Sequence, residues 1–431
     1  MKSVMTKLSS PARFLFEAGL LALTGCLVAV PHVAAQTESI LYSFGAAPDA
    51  VNPQSKLVAD AGQNFYGSSY SGGADGAGAV YKLSPPALPG GAWTESVIYS
   101  FNNVTGDFPL GNLAIDNRGN IFGTTTYAGD PTCYCGTVYK LKPPAVAGGT
   151  WSFENLHSFT NTAGDGASPQ VGVVLDSKGA VYGTTDGGGA TGLGIAYKIA
   201  SVGSGFVETI LTPLQGAGFH GPLIFDSVGN LYGVTGNGGT YHNGSVFKLS
   251  APTSGTGSWT ETTLFSFRAE TPGGYFPQGS LVMDSRGQLY GTNAFNAKSA
   301  DGAQTGGTVF RLTPPAVVGE AWTRSTLYTF TGSGDGTIPT SGMILNTKTG
   351  VFYGTTSNSI PANGCGVVFS LTPPAVAGGA WSEAVLHTFA PIAGDGCYPN
   401  SSPALDASGN LVGVAGIGGI SNSGVAYQVV R

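Results

Sequence analysis

Thr94-Glu95-Ser96-Val97-Ile98-Tyr99-Ser100-Phe101, Gly106-Asp107-Phe108-Pro109, Leu113-Ala114-Ile115-Asp116, Gly119-Asn120-Ile121-Phe122-Gly123-Thr124-Thr125 and Gly136-Thr137-Val138-Tyr139-Lys140-Leu141 follow one another as one unit of a repeat. A Pro143-Pro144-Ala145-Val146-Ala147-Gly148-Gly149 linker then leads to Trp151 and the next unit. Four of these runs are short, rich in β-branched and aromatic residues, and bounded by turn residues, which marks them as strands. We label them A (113–116), B (120–125), C (137–141) and D (151–159).

An aromatic-Gly step marks strand B at Tyr66-Gly67, Phe122-Gly123, Tyr182-Gly183, Tyr232-Gly233, Tyr290-Gly291 and Tyr353-Gly354, and in diverged form at Val412-Gly413. A spacing of roughly 50 to 63 residues suits propeller blades rather than helical solenoids. A lone four-stranded blade is marginal, whereas blades stacked around an axis bury both faces of each sheet. The predicted fold is therefore all-β, a seven-bladed β-propeller of four-stranded antiparallel blades. After a leader over 1–35, a single domain is expected over 36–431. That domain opens on a lone D strand, Ser39-Ile40-Leu41-Tyr42-Ser43-Phe44, and ends on A, B and C of the seventh unit. Pairing the two ends closes the ring and removes two open edges.

The recurring pattern also stands as Gly229-Asn230-Leu231-Tyr232-Gly233-Val234-Thr235, Gly238-Gly239 and Gly244-Ser245-Val246-Phe247. It resembles the bacterial GloVer tandem-repeat family of "choice-of-anchor" surface proteins, over nearly the whole chain beyond the leader. The resemblance implies export and repeats, and carries no activity with it. No sorting segment follows Val430, so attachment through that end is not expected.

Composition narrows the function classes. The 69 Gly and 26 Pro among 431 residues mean many turns, while 10% aromatic residues argue against disorder. The formal net charge is -6, and no basic run exists, so nucleic-acid partners are not expected. Lys2, Lys7 and Arg13, the apolar stretch Ala18 to Val30, and Val33-Ala34-Ala35 before Gln36 read as a signal peptide. Leu23-Thr24-Gly25-Cys26 is the competing lipoprotein reading, with Cys26 as the anchor. The expectation is a secreted, periplasmic or surface monomer with no membrane span beyond the leader.

The chemistry-bearing residues fall on one face. D–A and B–C loops emerge together, opposite the A–B and C–D connections. Gly-Asp motifs place Asp107, Asp165, Asp335 and Asp395 in D–A loops. Tyr70, Tyr127, Tyr134 and Tyr241 come from B–C loops, and Phe108, Phe219, Tyr275, Phe276 and Tyr398 from D–A loops. Acidic groups among exposed aromatics suit glycan, cation or peptide binding. His220 and His242 come from neighbouring loops of this face as a weaker metal or acid–base signal. The binding set is thus Asp107, Asp165, His220, His242, Tyr275, Asp335 and Asp395.

No cofactor is expected, with calcium under the Asp loops as the alternative. Cys365 and Cys397 are predicted to form a disulfide, while Cys133 and Cys135 are left open between a small ring and free thiols. The five D-strand Trp residues, His157 and His387 read as packing residues. Asp60, Asp116, Asp176, Asp226, Asp284 and Asp406 read as turn formers. Gly-x-Ser-x-Gly, His-Glu-x-x-His and Walker motifs are absent. Gly187-Gly188-Gly189-Ala190-Thr191-Gly192 precedes a strand rather than a helix, so it does not bind a dinucleotide.

The reading is a non-enzymatic binding or structural propeller of the cell envelope, recognising a glycan or another envelope protein. The alternative is a polysaccharide lyase or glycoside hydrolase using loop-face Asp or His. Unpaired Asp residues at the channel mouth favour the enzyme; Asp residues held in their own turns favour binding.

Overall fold

The computed structural model describes residues 38–431, apart from 89, 147, 163, 219–220, 253–256, 270–272, 297–305, 318, 333, 359–363, 377 and 393. Residues 1–35, which the sequence reads as a leader, and Cys26 within them lie outside the described residues.

Seven four-stranded antiparallel units form the ring, each in the order A-B-C-D from axis to rim. Blade 1 comprises Val58–Ala59, Phe65–Gly72, Ala79–Ser84 and Thr94–Ser100. Blade 2 comprises Ala114–Ile115, Ile121–Thr125, Thr137–Lys142 and Ser152–Ser158, within a residue or two of the bounds read from the sequence. Blades 3 to 6 occupy 174–213, 224–266, 275–330 and 343–388. Blade 7 takes Ala404–Leu405, Leu411–Ala415 and Val425–Val429 from the end of the chain, and Glu38–Ser43 from its start. Glu38 pairs with Val429 and Ser43 with Val425, so the expected closure is present.

The aromatic-Gly signature has a steric cause. Each strand-B glycine lies opposite a strand-C aromatic: Gly67 faces Tyr81, Gly123 faces Tyr139, Gly233 faces Phe247 and Gly413 faces Tyr427. The ring lies across the glycine. A Cβ at Gly123 would stand 2.4 Å from the Tyr139 hydroxyl and 2.6 Å from its Cζ. The same collision, at 2.3–2.6 Å, occurs in all seven blades. The strand-C tyrosines at 81, 139, 197 and 427 are fully buried as a result.

The core is divided into seams. Among the described residues seven apolar clusters form, each drawn from two neighbouring blades. Phe122 and Val138 of blade 2, for example, pack with Val181 and Tyr197 of blade 3. The D-strand Trp residues belong to these seams: Trp151 meets Tyr66 of the preceding blade at 6.0 Å between ring centroids, and Trp381 meets Tyr290 at 6.4 Å. Cys365 and Cys397 are bonded, linking the B–C loop of blade 6 to the D–A loop of blade 7. Cys133 and Cys135 are bonded as a small ring. Among the described residues no helix is long and apolar enough to cross a membrane.

Gly123→Ala is expected to lower the melting temperature, reflecting roughly 1–3 kcal/mol of overpacking. Combining it with Tyr139→Leu should recover part of the loss. Thermal unfolding of the single and double variants checks this, and an unshifted single variant would contradict the contact.

Candidate functional site

The loop face is built by a repeated tie. In six blades the residue before a D–A loop proline has positive φ: Asn52, Phe108, Ser168, Phe276, Ile338 and Tyr398, at 51–61°. Such a backbone is rare for bulky residues and persists only where surrounding bonds over-determine it. Those bonds are present. Phe108 N–H donates to the Ala77 carbonyl of the preceding blade at 3.1 Å, and its own carbonyl accepts from Thr126 N–H at 3.1 Å. Tyr398 is tied likewise to Cys365 and Gly416, at 2.9 and 3.1 Å. Each following proline packs on the glycine that opens strand C of the preceding blade, as Pro109 does on Gly78. The loop backbones are thereby tied to both neighbouring blades, and of these six side chains Tyr398 is exposed.

One result is an aromatic platform at the junction of blades 1 and 2. Tyr70 stacks on Phe108 with centroids 4.3 Å apart and planes 18° apart. Tyr127 meets Phe108 edge-on at 5.9 Å. Tyr70 is 38% and Tyr127 45% exposed. Asp107 pairs backbone to backbone with Tyr127 at the platform's edge. Burial raises its carboxyl above the ordinary value, against the lowering effect of the Phe108 N–H.

The other predicted residues separate from this platform. Asp165 accepts from Thr160 N–H and Thr160 Oγ1, both at 2.8 Å, and from its neighbour Gly166 N–H at 2.7 Å. Asp395 accepts from Ala390 N–H at 2.8 Å and Gly396 N–H at 2.6 Å. Asp335 accepts from Thr331 N–H at 2.8 Å and from the Tyr328 hydroxyl at 2.9 Å. These three carboxylates cap their own turns. Tyr275 is 4% exposed and packs against Phe295 at 5.6 Å, because blade 5 extends strand A through the loop as Tyr275–Met283. His242 has positive φ in a tight B–C turn, its N–H bonded to the Gly239 carbonyl at 3.3 Å. His220 lies outside the described residues, so the His220–His242 pairing has no geometry to report. Tyr241 beside His242 is covered by the Arg268 guanidinium at 4.0 Å.

The capping Asp residues belong to a seam motif that the sequence reading missed. Each faces the D-strand aromatic or His before it and a Glu from the next D strand. The sets are Tyr42–Asp49–Glu95, His157–Asp165–Glu208, Tyr328–Asp335–Glu383 and His387–Asp395–Glu38. His157 Nε2 lies 3.3 Å from Asp165 Oδ1 and 3.6 Å from Glu208 Oε2.

The two His sets bring potential metal-ligating atoms within 4.8 Å of one another and are where a divalent ion could be held. The two Tyr sets achieve the same arrangement with a hydroxyl, which marks the shared role as a hydrogen-bonded seam. A glutamate two residues after the D-strand Trp or its equivalent was the available signal, at Glu95, Glu208, Glu261 and Glu383. Asp49 escaped notice because its loop reads Pro48-Asp49-Ala50 rather than Gly-Asp-Gly. The A–B turn Asp residues act as expected: Asp116 Oδ1 accepts from Arg118 and Asn120 N–H, each at 2.9 Å.

Burial and the neighbouring aspartate push Glu95 up from 4.5 to about 8. Burial pushes Glu208 and Glu383 up to about 7. Burial opposes the charge on His157, but the Asp165 hydrogen bond and the Glu208 charge outweigh it and hold the imidazole above its ordinary value. Between 4.5 and about 7 the folded chain keeps protons that the unfolded chain has released, so stability falls as pH rises through this window. His157 acts with the same sign above its ordinary 6.5. Asp165 and Asp395 are lowered and act oppositely, losing their contribution as pH falls below 3.8. The melting temperature should therefore be highest in mild acid and decline toward pH 8. Glu208→Gln with Glu383→Gln should flatten that decline, and an unchanged profile in a thermal scan would contradict the seam.

No curated protein sequence matches the chain. Among solved structures, a polysaccharide lyase of family PL25, an ulvan lyase, superposes with a TM-score of 0.52 at 12% identity, covering 91% of this chain and 96% of that one. The extracellular domain of a hybrid two-component system from B. thetaiotaomicron superposes with a TM-score of 0.52 at 12% identity, covering 92% of this chain and 43% of that one. At such identities the likeness shows the fold alone. The family model described as the Gloeobacter/Verrucomicrobia repeat matches residues 18–147, 132–297 and 253–427, and the chain belongs to that family.

Proposed function

We propose that this chain is an exported binding propeller of the bacterial envelope that holds a glycan on its D–A/B–C loop face. The observation that carries the reading is the Tyr70–Phe108–Tyr127 platform, with Tyr70 and Tyr127 exposed around a half-buried Phe108 on a backbone fixed from two blades. Flat aromatic rings offer a large, rigid contact area for the apolar face of a sugar. Asp107 at the edge supplies a polar group for sugar hydroxyls. Two disulfides support an oxidising compartment, in keeping with the leader-like start of the sequence.

A binding role is favoured over a glycoside hydrolase role. Hydrolysis of a glycosidic bond calls for two carboxyl groups free to act at a set separation. Asp165, Asp335 and Asp395 are instead engaged by their own turns. The likeness to the ulvan lyase, at 12% identity, is one of fold alone.

A glycan array probed with the protein from Gln36 onward should identify one glycan class. Tyr70→Ala and Tyr127→Ala should each weaken its binding threefold to tenfold, the roughly 0.5–1.5 kcal/mol of an aromatic contact. Calorimetric titration measures both. Absence of any glycan signal, or variants that bind as well as the parent, would sink the reading.

A further inference from the structure

The A strands enclose the axis, and their first residues crowd together. Four residues before the A–B turn Asp or Asn stand Asn112, Gly172, Pro222, Ser280, Gly342 and Ser402 in blades 2 to 7. Adjacent strands touch here: Ser280 pairs with Gly342, and a Cβ at Gly172 would collide with the Asn112 backbone. This waist divides the channel. Above it, on the loop side, lies a small polar vestibule of about 260 Å³ bordered by Gln54, Gln170, Thr340 and Asn400. Below it lies a chamber of about 820 Å³, reaching Thr347 in the A–B turn of blade 6.

The lower chamber has an unusual composition. Ile115, Leu175, Phe225, Met283 and Leu345, each the residue just before an A–B turn, supply its apolar wall. Of the described residues lining it, Lys56 alone is charged. Lys56 is the blade 1 counterpart of the small waist residues. Its N–H donates to Asn112 Oδ1 at 2.8 Å, which fixes the backbone from which the side chain extends. Among the described residues no carboxylate lies within ion-pair distance of its ammonium. Burial lowers its pKa, as expected of a cation without a counter-ion. The Asp residues of the A–B turns direct their carboxylates into their own turns, as Asp116 and Asp226 do.

An isolated cation facing an apolar chamber lacks what a carboxylate would supply, a charge-assisted hydrogen bond in a low-dielectric setting. The chamber volume falls within the range of small-molecule sites. We infer that the lower chamber is a second binding site, specific for a small apolar monocarboxylate whose carboxylate pairs with Lys56 and whose hydrocarbon body lies against the Leu175–Phe225–Met283 wall. This site opens away from the loop face, so it stands or falls independently of glycan binding.

Octanoate tests it, with octanol and acetate as probes lacking the charge or the body. Calorimetric titration of the protein from Gln36 onward should show octanoate binding at least tenfold more tightly than either. Lys56→Met should reduce octanoate to the level of octanol, and Lys56→Arg should retain the preference. In the unaltered protein, octanoate should also protect Lys56 from acetylation by acetic anhydride, read by peptide mass spectrometry, while the exposed Lys178 stays reactive. Equal octanoate binding by Lys56→Met and the parent would mean adsorption elsewhere and overturn the proposal. So would failure of octanoate to bind or to protect Lys56, a reading that remains decisive even if the substituted protein does not fold.

Discussion

In every blade the strand-C aromatic lies flat across strand B at a glycine, and most of the architecture depends on that contact. A side chain on the glycine would occupy the space of the ring. Displaced, the ring could no longer fill the seam toward the neighbouring blade, where Tyr81, Tyr139, Tyr197 and Tyr427 are fully buried. Because each cluster is shared by two blades, a blade has no complete core of its own. Stability is a property of nearest neighbours, as in other repeat proteins, except that the ring has no terminal unit.

Closure and display follow from the same arrangement. Glu38–Ser43 supplies the fourth strand of blade 7, so the last seam has the same composition as the rest. On the loop face each D–A loop is bonded to B–C loops of two blades, which makes the face a continuation of the ring rather than a set of free loops. The titratable seam groups sit under this face. Burial raises their glutamates, while hydrogen bonds and the His charge lower aspartates such as Asp165, so the seams between blades respond to pH.

The fold was legible because its determinants are local and repeated. Strand bounds, the aromatic-Gly step, the lone first D strand and the Cys365–Cys397 bond each follow from spacing and from the alternation of faces. The site was less legible because Asp165 and Asp335 look the same in sequence whether they face a ligand or their own turn. Only the carboxylate's direction separates the two, and that depends on the neighbouring blade. Tyr275 shows a similar limit: its loop was absorbed into a longer strand, which turned the ring inward. Lys56 carries no motif at all, and its isolation appears only when seven A strands are brought around one axis.

Hydrogen exchange of the closing strand tests the central claim, that the two ends of the chain complete one ring. The amides of Glu38–Ser43 that bond to Val425–Val429 should exchange as slowly as those of the D strands Thr94–Ser100 and Ser152–Ser158. Exchange at the rate of an unstructured segment, while the other D strands stay protected, would mean an open ring and would contradict the account.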